Sequence, residues 1–377
     1  MQNMLSASKG QVPKLQGDPW KAIERLDRVY LMVPIWGGQM TPSMVSFMQN
    51  ADFKGKEAVA VTLQADRKRE GSSKVHDKIK QQEYNKPGGV WRSVVMSDTI
   101  IYYYSGTGNS LHVALELKNR LPGAELVPIL SVLKEEITVQ GAEQVGLVFP
   151  IYVSTIPKPV RAFIDTINFS STQYFFTVTT NGGFPGKVDY LVYKLLKSKG
   201  LKLDYYASLK MIVNTATGLM PAIMINKKWA DMIGADKIAN MEVELQKEIE
   251  LVAENVAKRV QNIGPECQPN LARRALLSIT EKISPMEKTK AISFFVDNDC
   301  NGCGTCEKVC PSEKIKLADG KPGWIETTQC YFCYACFNFC PQQAILVKGY
   351  KYKTGRYKHP SVNANDIAGQ KNLPLIK

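Results

Sequence analysis

Cysteine spacing near the carboxyl end of the chain carries the clearest chemistry. The chain has 377 residues and nine cysteines, and eight of the cysteines form two runs of one pattern, C-x2-C-x2-C-x3-C-P. The runs are Cys300, Cys303, Cys306 and Cys310, then Cys330, Cys333, Cys336 and Cys340. An iron–sulfur cubane needs four thiolates in one small volume, and three cysteines at this spacing can wrap around three of its corners.

Zinc is the alternative metal, because C-x2-C pairs also build four-cysteine zinc sites. Two such pairs would complete a zinc site. Zinc sites of this kind would not explain the third cysteine of each run or the proline that ends the run. The pattern therefore favours two iron–sulfur clusters over two zinc ions.

On these two runs, residues 293–347 resemble the two-cluster bacterial ferredoxins. The resemblance implies two [4Fe-4S] clusters in a small α+β domain. It also implies that the last cysteine of each run binds the cluster of the other run. The first expected ligand set is Cys300, Cys303, Cys306 and Cys340. The second expected set is Cys330, Cys333, Cys336 and Cys310.

A second candidate site lies upstream, in a loop rich in hydroxyl groups and glycine. The β-rich segment 99–104 runs directly into this loop, and apolar residues at helical spacing follow it. The loop residues are Ser105, Gly106, Thr107, Gly108, Asn109 and Ser110. Backbone amides at a helix N-terminus favour an anion. Because the loop lacks the lysine of a P-loop and the glycine spacing of a dinucleotide fingerprint, it predicts a site for a phosphate monoester.

Strands alternate with amphipathic helices around and after this loop. The predicted strands are 99–104, 145–150, 174–186 with its glycine loop, and 203–214, and the predicted helices include 188–200 and 240–263. This alternation is typical of a doubly wound parallel α/β sheet. Ligands of such sheets bind beyond the carboxyl ends of the strands, where the strand order reverses.

Residues 98–263 resemble flavodoxin on this loop and these alternating strands. The resemblance implies bound FMN, with its phosphate in the loop 105–110 and its ring against two further loops. The expected ring contacts are Pro150, Ile151, Tyr152, Val153, Ser154 and Thr155 in one loop, and Thr180, Asn181, Gly182 and Gly183 in the other. Tyr152 is the candidate for stacking on the ring, because a flat aromatic side chain covers a π face. The alternative is an ordinary loop aromatic.

Together the two modules resemble the flavodoxin–ferredoxin fusion family of anaerobes, over about residues 98–360. The resemblance implies electron transfer between the two [4Fe-4S] clusters and FMN. The alternative is a flavodoxin-like domain without flavin, which would be a structural or regulatory docking module for the iron–sulfur domain. The residues leave open whether the chain is a flavin-dependent oxidoreductase or an electron carrier alone.

The first 95 residues contain a partial copy of the flavodoxin-like segment. Residues 27–66 align with 143–182 at a constant offset, and Trp36 falls at the position of Tyr152. The copy lacks a first strand and a phosphate loop, so it predicts a vestigial half-domain. The alternatives are a cap on the main sheet, a dimer interface and a second flavin site. The predicted domains are 1–95, 96–263, a linker 264–291, 292–347 and a basic tail 348–377.

Composition predicts the setting and the partners. The formal net charge is +13, which suits either a solvated basic surface or the docking of an acidic redox partner protein. No nucleic-acid motif accompanies the charge, and His112 is expected to face solvent. Clustered cysteines, the lack of a leader-like stretch and the lack of a long apolar run predict a cytoplasmic protein without a membrane span. The oligomeric state stays open.

Overall fold

The computed structural model describes most of the chain after residue 97 and four strands before it. The described residues are 28–36, 39–40, 57–64 and 90–94, as backbone alone, and 98–135, 142–152, 154–166, 169, 173–183, 185–213, 233–264, 267, 293–348 and 356–372. The chain divides into two compact units. One contains residues 1–98, 137–142 and 375–377, and the other contains residues 99–136 and 143–374.

The first unit contains a four-stranded sheet. Its strands are β1 (Arg28–Trp36), β2 (Gln39–Met40), β3 (Glu57–Gln64) and β4 (Val90–Val94), in the order β2-β1-β3-β4. β1 and β3 are parallel, with Arg28 opposite Glu57. The equivalent parallel pair in the second unit places Gln144 opposite Tyr174. The connection between the two paired strands is one residue longer in the second unit than in the first. The alignment of residues 27–66 with 143–182 is therefore out of register by one residue at the second strand.

The second unit is built around a five-stranded parallel sheet. Its elements are β5 (Thr99–Tyr103), α1 (Asn109–Arg120), β6 (Glu125–Pro128), α2 (Ile129–Glu135), β7 (Gln144–Pro150), α3 (Lys158–Thr166), β8 (Tyr174–Asn181), α4 (Val188–Ser198), β9 (Tyr205–Lys210) and α5 (Ala235–Ala257). The order β6-β5-β7-β8-β9 is the flavodoxin-like order. The predicted doubly wound α/β fold is confirmed. The loops after β5 and β7 lie at its switch point, where the strand order reverses.

Several elements differ from those predicted from the sequence. The edge strand β6 and the short helix α2 were not predicted, because β6 has only 4 residues and shows no alternation. The predicted strand 203–214 is shorter and spans Tyr205–Lys210. The long helix α5 begins at Ala235, before the predicted start at residue 240, and ends at Ala257, before the predicted end at residue 263. Arg259 follows with a φ of 52°, a left-handed conformation that ends a helix. None of the helices in the described part of the chain is long and apolar enough to cross a membrane.

The two cysteine runs form a small α+β domain of the ferredoxin-like kind, as predicted. Its elements are β10 (Phe294–Val296), α6 (Thr305–Val309), β11 (Ile315–Ala318), β12 (Lys321–Trp324), α7 (Ala335–Phe339) and β13 (Ile345–Val347). β10 pairs with β13 and β11 pairs with β12, both antiparallel. Cysteines of both runs share one apolar core with Ile315, Phe337 and Ile345.

The carboxyl-terminal segment 356–372, here called the latch segment, packs on the rest of the second unit. It contains one helix, α8 (Ala364–Gly369). Arg356 donates to the carbonyl oxygens of Phe337, Gln343 and Ile345. Arg356 is one of the basic residues of the tail, and its charge is used inside the molecule to hold the latch segment on the ferredoxin-like domain.

Candidate metal centre and the loop beside it

The cysteines of the ferredoxin-like domain line two cavities. The outer cavity is lined by Cys300, Cys303, Cys306 and Cys340. The inner cavity is lined by Cys310, Cys330, Cys333 and Cys336. Each cavity therefore receives three cysteines from one run and one cysteine from the other.

Two short helices carry cysteines to both cavities. Cys306 lies on α6 and lines the outer cavity, whereas Cys310 ends α6 and lines the inner cavity. Cys336 lies on α7 and lines the inner cavity, whereas Cys340 ends α7 and lines the outer cavity. Four helical residues rise about 6 Å along the axis. The two cavities are therefore close neighbours.

The second cysteine of each run, Cys303 or Cys333, lies between two residues with a left-handed backbone. In the first run these are Gly302 and Gly304, with φ of 73° and 75°, and in the second run Phe332 and Tyr334, with φ of 53° and 58°. Side chains other than glycine resist this conformation, at a cost of about 1–3 kcal/mol each. The turn brings backbone N–H groups to sulfur, as the Phe332 N–H donates to Cys330 Sγ at 3.3 Å.

The chemistry of the cavities suits a metal centre with thiolate ligands. Burial raises the pKa of Cys306 to about 11. Burial, and then the neighbouring cysteines, raise the pKa of Cys336 well above its ordinary value. Such thiols stay protonated unless a cation compensates the thiolate charge, and a bound metal removes their protons. Four thiols around each enclosed space are the donor set that an iron–sulfur cluster requires, so the residues fit the group.

The hydroxyl- and glycine-rich loop after β5 is closed by the chain itself. The Ser105 N–H donates to the Gln370 side-chain oxygen at 2.8 Å, and the Gln370 amide donates back to the Ser105 carbonyl at 3.0 Å. The His359 N–H donates to the Thr107 carbonyl at 2.9 Å. Residues 105–110 are all buried. The latch segment thus bonds to the backbone of the loop at Ser105 and Thr107.

The latch segment also packs closely against Gly108 in this loop. A Cβ atom at Gly108 would lie 2.8 Å from Val362 and 2.9 Å from His359, so even a methyl group would collide with the latch segment. The Gly108 N–H is already bonded to the Ser105 hydroxyl at 3.1 Å. The latch segment is therefore in contact with this loop, and the expected FMN site stays a prediction.

The last two residues of this loop are held by the protein core. The Asn109 side chain donates to the Ile212 carbonyl at 3.1 Å. The Ser110 and Thr180 hydroxyls lie 2.8 Å apart. The Asn109 side-chain oxygen is buried without a hydrogen-bond partner among the described residues.

The expected ring contacts after β7 lie at the switch point and bond to one another. Pro150 lies opposite Thr180 in the sheet, and the Ile151 N–H donates to the Thr180 carbonyl at 2.8 Å. Tyr152 is buried and pairs with Thr155. Ser154 is half-buried with a φ of 58°, and Val153 lies outside the described residues.

The second expected ring loop, after β8, is also internally bonded. The Gly183 N–H donates to the Asn181 side chain at 2.6 Å. A Cβ atom at Gly182 would lie 2.2 Å from Val213, so this glycine permits a close approach of the chain to itself.

The inner cavity lies directly against the switch point. A Cβ atom at Gly106 would lie 2.4 Å from the Tyr152 hydroxyl oxygen, 2.8 Å from the Cys333 carbonyl oxygen and 2.9 Å from the Cys333 Cβ. Because Gly106 has no side chain, the flavodoxin-like and ferredoxin-like domains can touch here. Tyr104 and Tyr152 are perpendicular to one another at this contact, with ring centroids 6.2 Å apart.

A buried cluster of two histidines and a glutamate anchors the latch segment. His112 Nε2 lies 2.8 Å from one oxygen of Glu242, and His359 Nε2 lies 3.5 Å from the other. The expectation that His112 faces solvent is wrong, because α5 and the latch segment cover it. The two imidazoles stack with centroids 3.9 Å apart, so no single ion can lie in the planes of both rings. The three residues are too far apart in sequence for any local pattern to reveal the cluster.

Comparisons with known proteins identify the carboxyl-terminal domain. Residues 299–345 match the model of the 4Fe-4S dicluster domain. An uncharacterized ferredoxin of Methanocaldococcus jannaschii is 37% identical over 67 residues, which are 17% of this chain and 87% of that protein. The ferredoxin of Methanothermococcus thermolithotrophicus is 36% identical over 59 residues, 15% of this chain and 98% of that protein. Through this domain the chain belongs to the 4Fe-4S dicluster ferredoxin family.

Solved structures with some similarity to the chain include two oxidoreductases. Rubredoxin oxygen:oxidoreductase of Desulfovibrio gigas is 14% identical with a TM-score of 0.29, over 43% of this chain and 36% of that one. An azoreductase of Bacillus anthracis is 11% identical with a TM-score of 0.28, over 42% of this chain and 100% of that one. Scores this low support no functional argument. The flavodoxin-like assignment rests on the strand order of the parallel sheet.

Proposed function

We propose that the protein carries electrons through two [4Fe-4S] clusters, one in each cavity. Cys300, Cys303, Cys306 and Cys340 would hold the outer cluster, and Cys310, Cys330, Cys333 and Cys336 the inner one. The observation that carries the proposal is the grouping of eight cysteines around two enclosed spaces, in a domain related to ferredoxins. Each cluster exchanges single electrons, and the protein sets their potentials through burial and hydrogen bonds.

Metal analysis tests this proposal. Protein purified without oxygen should contain about eight iron and eight sulfide ions per chain, and reduction by dithionite should give the EPR signals of reduced clusters. Cys300→Ser should lose about half of the iron. Cys267→Ser, which changes the cysteine outside both runs, should keep all of it. A colourless protein with zinc in place of iron would overturn the proposal.

We further propose that electrons enter and leave at the outer cavity. Cys303 is exposed, whereas Cys333 and Cys336 are buried. Lys321 is exposed beside this cavity, with its Nζ 3.5 Å from the Cys300 carbonyl oxygen. An acidic redox protein in the cytoplasm suits this surface, because opposite charges steer association. Electron exchange with an acidic carrier should slow as salt rises, and a salt-independent rate would contradict the partner's charge.

The flavodoxin-like domain acts, in this proposal, as a docking scaffold for the ferredoxin-like domain. The closed loop supports this role, since Gln370 and His359 bond to its backbone and Cys333 packs on Gly106. The second candidate is electron transfer between the clusters and FMN. The strand order and the loop composition favour it, and it requires the latch segment to leave the loop.

Flavin titration separates the two candidates. Wild-type protein should pass through gel filtration without FMN, and Gln370→Ala, which loosens the latch segment, should show whether the loop binds FMN once opened. Gln343→Ala is the matched control, because the latch segment contacts only its backbone carbonyl. Retention of one FMN per chain by the wild type would overturn the scaffold role and make the flavin a third redox centre.

A further inference from the structure

Two tyrosine hydroxyls of the flavodoxin-like domain are buried beside the inner cavity. Tyr104 directly follows β5 and Tyr152 lies in the loop after β7, so both reach the switch point. Their side chains are 0% and 5% exposed. Within the part of the chain that the structure describes, neither hydroxyl forms a hydrogen bond of ordinary geometry. The two hydroxyls interact with each other, and that of Tyr104 also interacts with the Cys333 thiol.

The thiol that these hydroxyls approach is Cys333, which lines the inner cavity. The Tyr104 hydroxyl interacts with the Cys333 thiol. A Cβ atom on Gly106 would lie 2.4 Å from the Tyr152 hydroxyl oxygen and 2.9 Å from the Cys333 Cβ. Tyrosine hydroxyls carry a proton at neutral pH and can donate it in a hydrogen bond.

Tyrosine at these positions needs an acceptor. A buried hydroxyl without a partner costs free energy, and phenylalanine would fill the same space without that cost. A thiol is a weak acceptor, so two such hydroxyls beside Cys333 point to the stronger acceptor that a cluster-bound thiolate would supply. The sulfur atoms of a [4Fe-4S] cluster carry negative charge and accept hydrogen bonds, which set its potential.

We propose that Tyr104 and Tyr152 donate hydrogen bonds to sulfur of the inner cluster at Cys333 and raise its reduction potential. This inference rests on the proposed function. Hydrogen bonds from the two donors would favour the more negative, reduced state of a cluster bound there. The flavodoxin-like domain thereby tunes a cluster that it does not ligate.

Potentiometric titration followed by EPR tests the role of the two tyrosines. The double variant Tyr104→Phe and Tyr152→Phe should make reduction of one cluster at least about tenfold less favourable, a shift of about 59 mV for one electron. The other cluster should keep its potential. Tyr357→Phe is the matched control, because its hydroxyl is also buried without a partner among the described residues but faces Glu242. This control should shift neither potential.

The outcomes separate this inference from the proposed function. Unchanged potentials in the double variant with full iron content overturn the role of the tyrosines alone, whereas wild-type protein without iron overturns the proposed function. If the double variant loses its inner cluster, resonance Raman spectra of the single variants in H2O and D2O replace the titration. The deuterium shift of the iron–sulfur stretching bands should be smaller in Tyr104→Phe than in the wild type, and an equal shift overturns the inference.

Discussion

The outer and inner cavities share one cysteine spacing but differ in what surrounds them. In the outer cavity Cys303, the second cysteine of the first run, is exposed and lies between two glycines. In the inner cavity its counterpart, Cys333, is buried and packs against Gly106 of the other domain. Solvent exposure and hydrogen bonding shift cluster potentials. The comparison shows how a duplicated ligand pattern can give two unlike redox sites without any change of ligand.

The flanking residues show how the two runs diverged. The glycines of the first run adopt the left-handed backbone freely, whereas Phe332 and Tyr334 adopt it in the second run against a steric cost. Packing offsets that steric cost at Tyr334, because the residue is only 2% exposed. Its ring makes edge contacts with Phe294 and Phe337 at centroid distances of 5.2 and 6.1 Å. The residues that flank Cys333 are therefore aromatic side chains packed in the protein, whereas those that flank Cys303 are glycines.

Replacing one ligand in each cavity should give the largest effects. Cys303→Ser and Cys333→Ser should each remove about half of the iron, but they should leave different clusters behind. The inner cluster left by Cys303→Ser should resist air and chelators, because protein covers it. The outer cluster left by Cys333→Ser should be lost quickly. Iron release followed by absorbance measures both rates, and equal rates would show that the two cavities are equally accessible.

A smaller change tests the contact that makes the inner cavity different. Gly106→Ala places a methyl group 2.8 Å from the Cys333 carbonyl oxygen, so the domains must shift apart. We expect a loss of about 1–3 kcal/mol in the free energy of unfolding and faster attack of oxygen on the inner cluster. The outer cluster should not respond.

The control for this change is Gly264→Ala, because a Cβ atom at Gly264 meets nothing within 4 Å. It should leave both the stability and the oxygen sensitivity unchanged. An inner cluster that behaves alike in both variants would show that Gly106 is not what protects it.

Local pattern and long-range contact explain what could be predicted from the sequence. Helical spacing and the cysteine runs are local signals, so the parallel sheet and the ferredoxin-like domain were predicted correctly. The closure of the loop by Gln370 was not predicted, because Ser105 and Gln370 are 265 residues apart in the sequence. The loop composition indicated an anion site, and in the structure the side-chain amide of Gln370 bonds to the backbone of this loop.

The smallest expected effect concerns the anchor of the latch segment, which lies away from both cavities. Burial, and then neighbouring His112, lower the pKa of His359 from 6.5 to about 4, and Glu242 opposes that shift. The free histidine binds a proton more readily than the docked one. Attachment is therefore at full strength above a pH of about 6.5 and weakens as the pH falls toward about 4.

Hydrogen exchange at the Ser105 N–H, corrected for the intrinsic effect of pH, measures this attachment. Exchange should be faster at pH 5 than at pH 7 in the wild type, because protonation of His359 beside His112 from α1 and Glu242 from α5 disfavours the docked state. His359→Asn removes the titrating group and should remove the dependence on pH. A wild-type exchange rate that is the same at both pH values would show that His359 does not control the latch segment.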